Sequence, residues 1–191
     1  MNPLDAPPEA RVIWLPQEDT SAIVLTEAPA ILSASTEQYP PLGVAFTISD
    51  EGETSLLCDL GNGQHLQLTH HDVEPGRMAL GAFVPLGIEG FDRLESIQRL
   101  LAALHERTVP PETRLTKQQR ARLRRMLQSV DGYRNGATQQ EIAQVVFRIG
   151  PLDRHDWQKS SARHAVKALL RDARAMIAGG YRMLLRHRRQ S

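Results

Sequence analysis

Only one cysteine, Cys58, occurs among 191 residues. An internal disulfide and a cysteine-based zinc cluster are therefore excluded, and a reducing compartment is the natural setting. Long hydrophobic runs are missing as well: nowhere do the roughly eighteen apolar residues of a membrane-spanning helix stand together. Residues Met1 to Glu9 lack the basic stretch and following apolar stretch of a secretory signal. The expected localisation is cytoplasmic, with no membrane partner. Basic residues are scarce in one half only. Residues 1–107 carry 5 Lys/Arg against 16 Asp/Glu, whereas residues 108–191 carry 18 against 6. The formal net charge of +1 thus hides halves of −11 and +12. A phosphate backbone is repelled by the first half and drawn to the second through counterion release, whatever the detailed fold.

What is present divides along the same line. Residues 1–10, rich in Pro and acid, read as a flexible lead-in. Over residues 11–107, apolar stretches of strand length alternate with Pro, Gly, Asp and Asn: Val12 to Leu15, Ala22 to Leu25, Val44 to Ile48, Ser55 to Leu60 and His65 to Leu68. They predict a small antiparallel sheet. Gly61, Asn62 and Gly63 form its clearest hairpin loop, because Gly and Asn tolerate the positive φ of a tight connection. From Phe91 the period changes, and Phe91, Leu94, Ile97, Leu101 and Leu104 recur at helical spacing, predicting a helix that covers the sheet. Pro110 and Pro111 stop it and mark residues 108–113 as a linker.

Residues 114–191 read as an all-helical, basic domain. Thr116 with Gln119, and Thr138 with Glu141, have the spacing of capping boxes, in which a hydroxyl and a side chain three residues on each satisfy the other's backbone amide. The first box opens a helix at Lys117 with Leu123, Met126, Leu127 and Val130 inward, ending around Gly132 to Gly136. The second opens a short helix with Ile142, Ala143, Val146 and Phe147 inward. A third helix begins after Ser160 or Ser161 and runs to about Ala178, where Gly179 and Gly180 end it. On it, Ala162, Val166, Leu169, Ala173 and Met176 share an arc of about 80°, and Arg163, Lys167, Arg171 and Arg174 share another. Tyr181 and the apolar run Met183 to Leu185 lead into a basic tail, Arg186 to Arg189. The fold class is α+β: a small antiparallel β-sheet domain with a covering helix, followed by a helix-turn-helix-like bundle.

Three helices in this order, the last with a basic stripe, are the parts of a helix-turn-helix reader. The second helix braces the third, a small residue such as Ala143 permits close approach, and the third lies in a major groove about 12 Å wide. The DNA-contacting residues expected are Lys159, Ser160, Ser161, Arg163, His164, Lys167, Arg171 and Arg174, and the partner is double-stranded DNA. Arg148 to Lys159, where three or four residues would suffice for a tight turn, make this a variant of the motif. Within that insertion Trp157 reads as a plug for the bundle rather than a base-stacking ring.

Asp131 to Ala137, Glu141 to Ala143, Trp157 to Arg163 and Ala178 to Leu185 together resemble a proteobacterial family long described as a domain of unknown function. The resemblance covers residues 114–187, with a weaker match through Val12 to Pro16. It implies a helix-turn-helix variant found in activators and antiactivators of integrative and conjugative element transfer, of the FseA and QseM kind. Such proteins regulate transcription by binding DNA or, in the antiactivator branch, by holding another regulator. For this chain, another regulator or RNA polymerase is the protein partner to expect. Where that family has more arginine, this chain has His164, Ala165 and Ala168.

Enzymatic and metal readings find less support. His65, His70, His71 and Asp72 are close in sequence, but paired histidines in a loop are mostly solvated, and no metal or other cofactor is expected. Asp153, His155 and Asp156 lack the second catalytic cluster a nuclease needs and stand where a helix start favours acids. His164 and Tyr181 share the basic domain as in a tyrosine recombinase, without an accompanying HxxR motif. No catalytic residue is assigned.

Overall fold

The computed structural model describes residues 12–29, 31, 43–50, 52–71 and 80–186. The lead-in, Asp72 and the tail beyond Arg186 lie outside them. The chain forms two compact units, one of residues 1–112 with 185–191, the other of residues 113–184. Each is described by itself.

The first unit is built on a five-stranded, mostly antiparallel sheet of β1 (Ile23–Glu27), β2 (Gly43–Asp50), β3 (Glu53–Asp59), β4 (His65–His71) and β5 (Leu80–Phe83). Spatial order is β2-β3-β4-β1-β5, with β1 parallel to β4 and antiparallel to β5. Gly61 and Gly63, both at positive φ, turn β3 into β4 as the glycine spacing predicts. The expected strand at Val12 to Leu15 is absent. Its backbone finds a side chain instead: the Trp14 amide donates to Gln67 Oε1 at 2.9 Å, and the Trp14 carbonyl accepts from Gln67 Nε2. One amide side chain thus stands in for a neighbouring strand.

Helix α1 (Gly90–Leu104) exists, but not with the expected inward face. Phe91, Leu94 and Leu101 are 56%, 50% and 48% exposed, while Asp92, Arg93, Ser96, Arg99 and Leu100 are buried. Ile97 and Leu104 pack against the sheet core of Ile23, Cys58, Leu66, Leu68 and Leu100. The helix is turned by roughly a third of a revolution from the orientation its apolar period favours. Polar anchoring explains this. The Arg93 guanidinium donates to the carbonyls of Ala22 and Pro16, and Asp92 accepts from the Thr20 hydroxyl at 2.5 Å. Arg99 reaches Gln64 and Ser96. These bonds offset the cost of burying the side chains and fix the helix by its polar face.

The second unit holds α2 (Lys117–Arg134), α3 (Gln139–Phe147), the short α4 (Arg154–Lys159) and α5 (Ser161–Ile177), then a 3-10 helix, Gly180–Leu185, whose last residue groups with the first unit. Both capping boxes form as their spacing predicts. Met126, Val130, Ile142, Ala143, Val166, Leu169, Leu170 and Ala173 make the core, with Leu123, Val146, Phe147 and Trp157 packed against it. Trp157 therefore serves as the expected plug. Leu127, expected inward, is exposed, and the small hydroxyl of Ser129 takes a place inside by donating to the Arg125 carbonyl. The Arg148 to Lys159 insertion contains α4, which Asp153 caps by accepting the Asp156 amide at 2.8 Å.

The second capping box gives a measurable consequence. The Thr138 amide and then its hydroxyl hold the Glu141 carboxyl below the ordinary carboxylate range. A depressed carboxylate pKa means that the box contributes stability above the unfolded-state value and loses it as pH falls through the folded one. Thr138→Ala is expected to destabilise the helical unit by about 1 kcal/mol and to move Glu141 toward its ordinary pKa. Thermal melts and an NMR titration of Glu141 check both; an unmoved Glu141 pKa would contradict the reciprocal cap.

Candidate nucleic-acid interface

Residues 113–184 carry 15 Lys/Arg against 5 Asp/Glu. Helix α5 arranges part of that charge. Its apolar stripe is buried, and His164, Lys167, Arg171 and Arg174 stand exposed within an arc of about 80° on the opposite side. Ser160 starts the helix: its hydroxyl accepts the Arg163 amide at 3.2 Å and donates to the Trp157 carbonyl at 3.0 Å. That hydroxyl is spent on joining α4 to α5. Arg163 is half-buried and donates to the Gln158 carbonyl at 3.1 Å, so its guanidinium braces the same junction. Lys159, at the end of α4, and Ser161, at the start of α5, are both exposed.

The eight residues expected at the interface therefore fall into two groups. Lys159, Ser160, Ser161 and Arg163 cluster at the α4–α5 junction, and His164, Lys167, Arg171 and Arg174 form a continuous row along α5. Helix α2 flanks that row. Arg174 lies over the Tyr133 ring, 5.4 Å from its centre. Arg122 meets Asp172, which also accepts from Arg171. Arg171 and Arg122 hold the Asp172 carboxyl below the usual carboxylate range. Sequence reasoning does not single out Arg122, Tyr133 or Asp172. The signal it offers is the density of arginine in residues 120–125, whose facing is invisible until the two helices are packed.

A row of cations about 1.5 Å per residue along a helix has the spacing and charge to meet phosphates on either side of a groove. Among the described side chains of the sheet unit the histidines offer no comparable constellation: His70 is buried, with neither ring nitrogen bonded among the described residues. Among the described residues no group of three or more His, Cys, Asp or Glu side chains is placed to hold a metal ion. No helix among them is long and apolar enough to cross a membrane.

Comparison with known proteins agrees with a nucleic-acid surface. A family model described as "T6SS, Transcription factor, DNA binding domain" (RovC_DNA-bd) matches residues 83–186, more than half of the chain. The match begins at the end of β5 and takes in α1 and the proline linker as well as the four helices of the second unit. Neither curated proteins nor solved structures give a match.

Proposed function

Because the chain belongs to the family of T6SS transcription-factor DNA-binding domains, we infer that it regulates transcription by gripping duplex DNA with the exposed row of α5. The observation that carries this reading is the coincidence, in one helix, of a buried apolar stripe with His164, Lys167, Arg171 and Arg174 exposed along one edge. The buried stripe makes the helix rigid, and the row gives it sequence-independent affinity for phosphate. Lys159 and Ser161 extend the contact at the helix start, while Ser160 and Arg163 act on DNA by keeping that start in place. Residues near the amino-terminal end of such a helix are best placed to reach base edges, which gives His164 the reading role and Lys167, Arg171 and Arg174 the phosphates. The family description points to genes of a T6SS as targets. The motif resemblance to conjugative-element regulators makes transfer genes the second set to examine.

Fluorescence anisotropy of the full chain with duplex across a salt series tests the reading. Several phosphate contacts predict a log–log slope of about −3 or steeper, at roughly −0.9 per phosphate neutralised. No binding, or a flat salt response, would instead support a protein-holding antiactivator on the same scaffold.

A further inference from the structure

We propose that Asp172 is a positioning residue that sets Arg122 of α2 and Arg171 of α5 as a two-helix clamp for one backbone phosphate of the duplex. The proposal rests on the DNA-binding reading above. Its basis is a triad in which each carboxylate oxygen serves a different helix. Asp172 Oδ1 accepts from Arg171 Nε and from a terminal nitrogen of the same guanidinium, both at 2.9 Å. Oδ2 accepts from Arg122 at 2.5 Å. The carboxylate is only 27% exposed, whereas the Arg122 and Arg171 side chains are 57% and 78% exposed.

A guanidinium has five N–H donors in a rigid planar fork. Asp172 occupies two donors of Arg171 and one of Arg122, so each arginine keeps donors for an outside acceptor. Without the carboxylate, two like charges on adjacent helices would repel, and two long side chains would each sample many rotamers. With it, both planes are set before DNA arrives, which lowers the ordering cost of binding. Lys167 and Arg174, about one turn before and after along the exposed row, continue the track of positive charge.

The same carboxylate repels phosphate. Its negative charge weakens attraction to any polyanion, so its net effect is favourable only where the held geometry matches the backbone of a particular site. This gives opposite signs for two kinds of DNA. A plain tie between α2 and α5, or a plain screening charge, gives the same sign for both.

The experiment uses the full chain with two duplexes, one of random sequence and one recovered by in vitro selection with the unaltered protein. With Asp172→Asn, affinity for the random duplex is expected to rise about threefold or more, with a salt slope steeper by about one unit. Affinity for the selected duplex is expected to fall about threefold or more, and Asp172→Glu is expected to restore part of it. If both affinities rise together, or both fall together with the melting temperature, the clamp is overturned. Failure of selection to enrich any sequence overturns it as well, leaving general DNA binding intact. An unaltered chain that binds neither duplex removes the DNA-binding reading and the clamp with it, whereas an unaltered chain that binds and an Asn variant that matches it remove the clamp alone.

Discussion

Replacing Lys167 and Arg174 together by glutamate is expected to lower duplex affinity by about two to three orders of magnitude with the helical unit still folded. Both side chains are exposed on the outer edge of α5, so neither reversal intrudes on the core. Each removes a neutralised phosphate and puts a like charge in its place. The salt slope should flatten by about two units, one for each phosphate no longer neutralised. Stability should change little, because the main structural cost is the missing stack of Arg174 on the Tyr133 ring, worth about 0.5–1 kcal/mol at an exposed site. Anisotropy titrations at several salt concentrations, paired with thermal melts, provide the measurement. An affinity within a factor of about three of the unaltered chain would remove this edge from the interface.

Val166→Asp is expected to have the largest effect on stability. Val166 is wholly buried in the cluster that joins α2, α3 and α5, with Met126, Ile142, Leu169 and Ala173 among its members. An ionised carboxylate in that cluster would cost several kcal/mol, since no basic residue belongs to it. A helical unit of this size has about 4–10 kcal/mol of total stability. The substitution therefore consumes most of it, and α2, α3 and α5 should lose amide-exchange protection while β3 and β4 keep theirs. The pH dependence has a definite sign. Burial raises the folded-state pKa of the introduced carboxyl, so the deficit is full above that value and shrinks as the acid becomes neutral at lower pH. Native-like protection of α5 at pH 7 would contradict the packing described for Val166.

The helices of the basic unit are more legible in sequence than the sheet unit because their determinants are local. Thr116 with Gln119 and Thr138 with Glu141 act within one turn, and Ser160 caps α5 within another. The strands of β2, β3 and β4 also carry local signals in their apolar runs and in the glycines at 61 and 63. The placement of β1 does not. It lies parallel to β4 and beside β5, a strand of only four residues, and that pairing depends on residues far apart in sequence. Helix α1 shows the limit most clearly, since its apolar spacing names one face and Arg93 and Asp92 fix another. Periodicity weighs apolar side chains; it cannot see that the carbonyls of Ala22 and Pro16 will stand ready for a guanidinium.

The candidate interface divides in the same way. The row from Lys167 to Arg174 follows from helical geometry once α5 is recognised. The internal commitments of Ser160 and Arg163 depend on α4, a helix of six residues whose chief sequence signal is the Asp153 cap. Asp172 is visible as a residue but not as a link, because its second partner, Arg122, is 50 positions away.

The Thr20 amide donates to the Leu185 carbonyl at 3.1 Å, and Arg186 donates to the Gln17 carbonyl. During synthesis, the chain segment at 17–20 therefore leaves the ribosome long before its partners exist. The helices of 113–184 have their caps and core in hand before Leu185 emerges, so they can close first. The sheet unit acquires its final hydrogen bonds only when the chain has returned to it. In vectorial order the later half of the sequence matures before the earlier half is finished, and a released chain truncated just short of residue 185 should hold a folded basic unit and an incomplete acidic one.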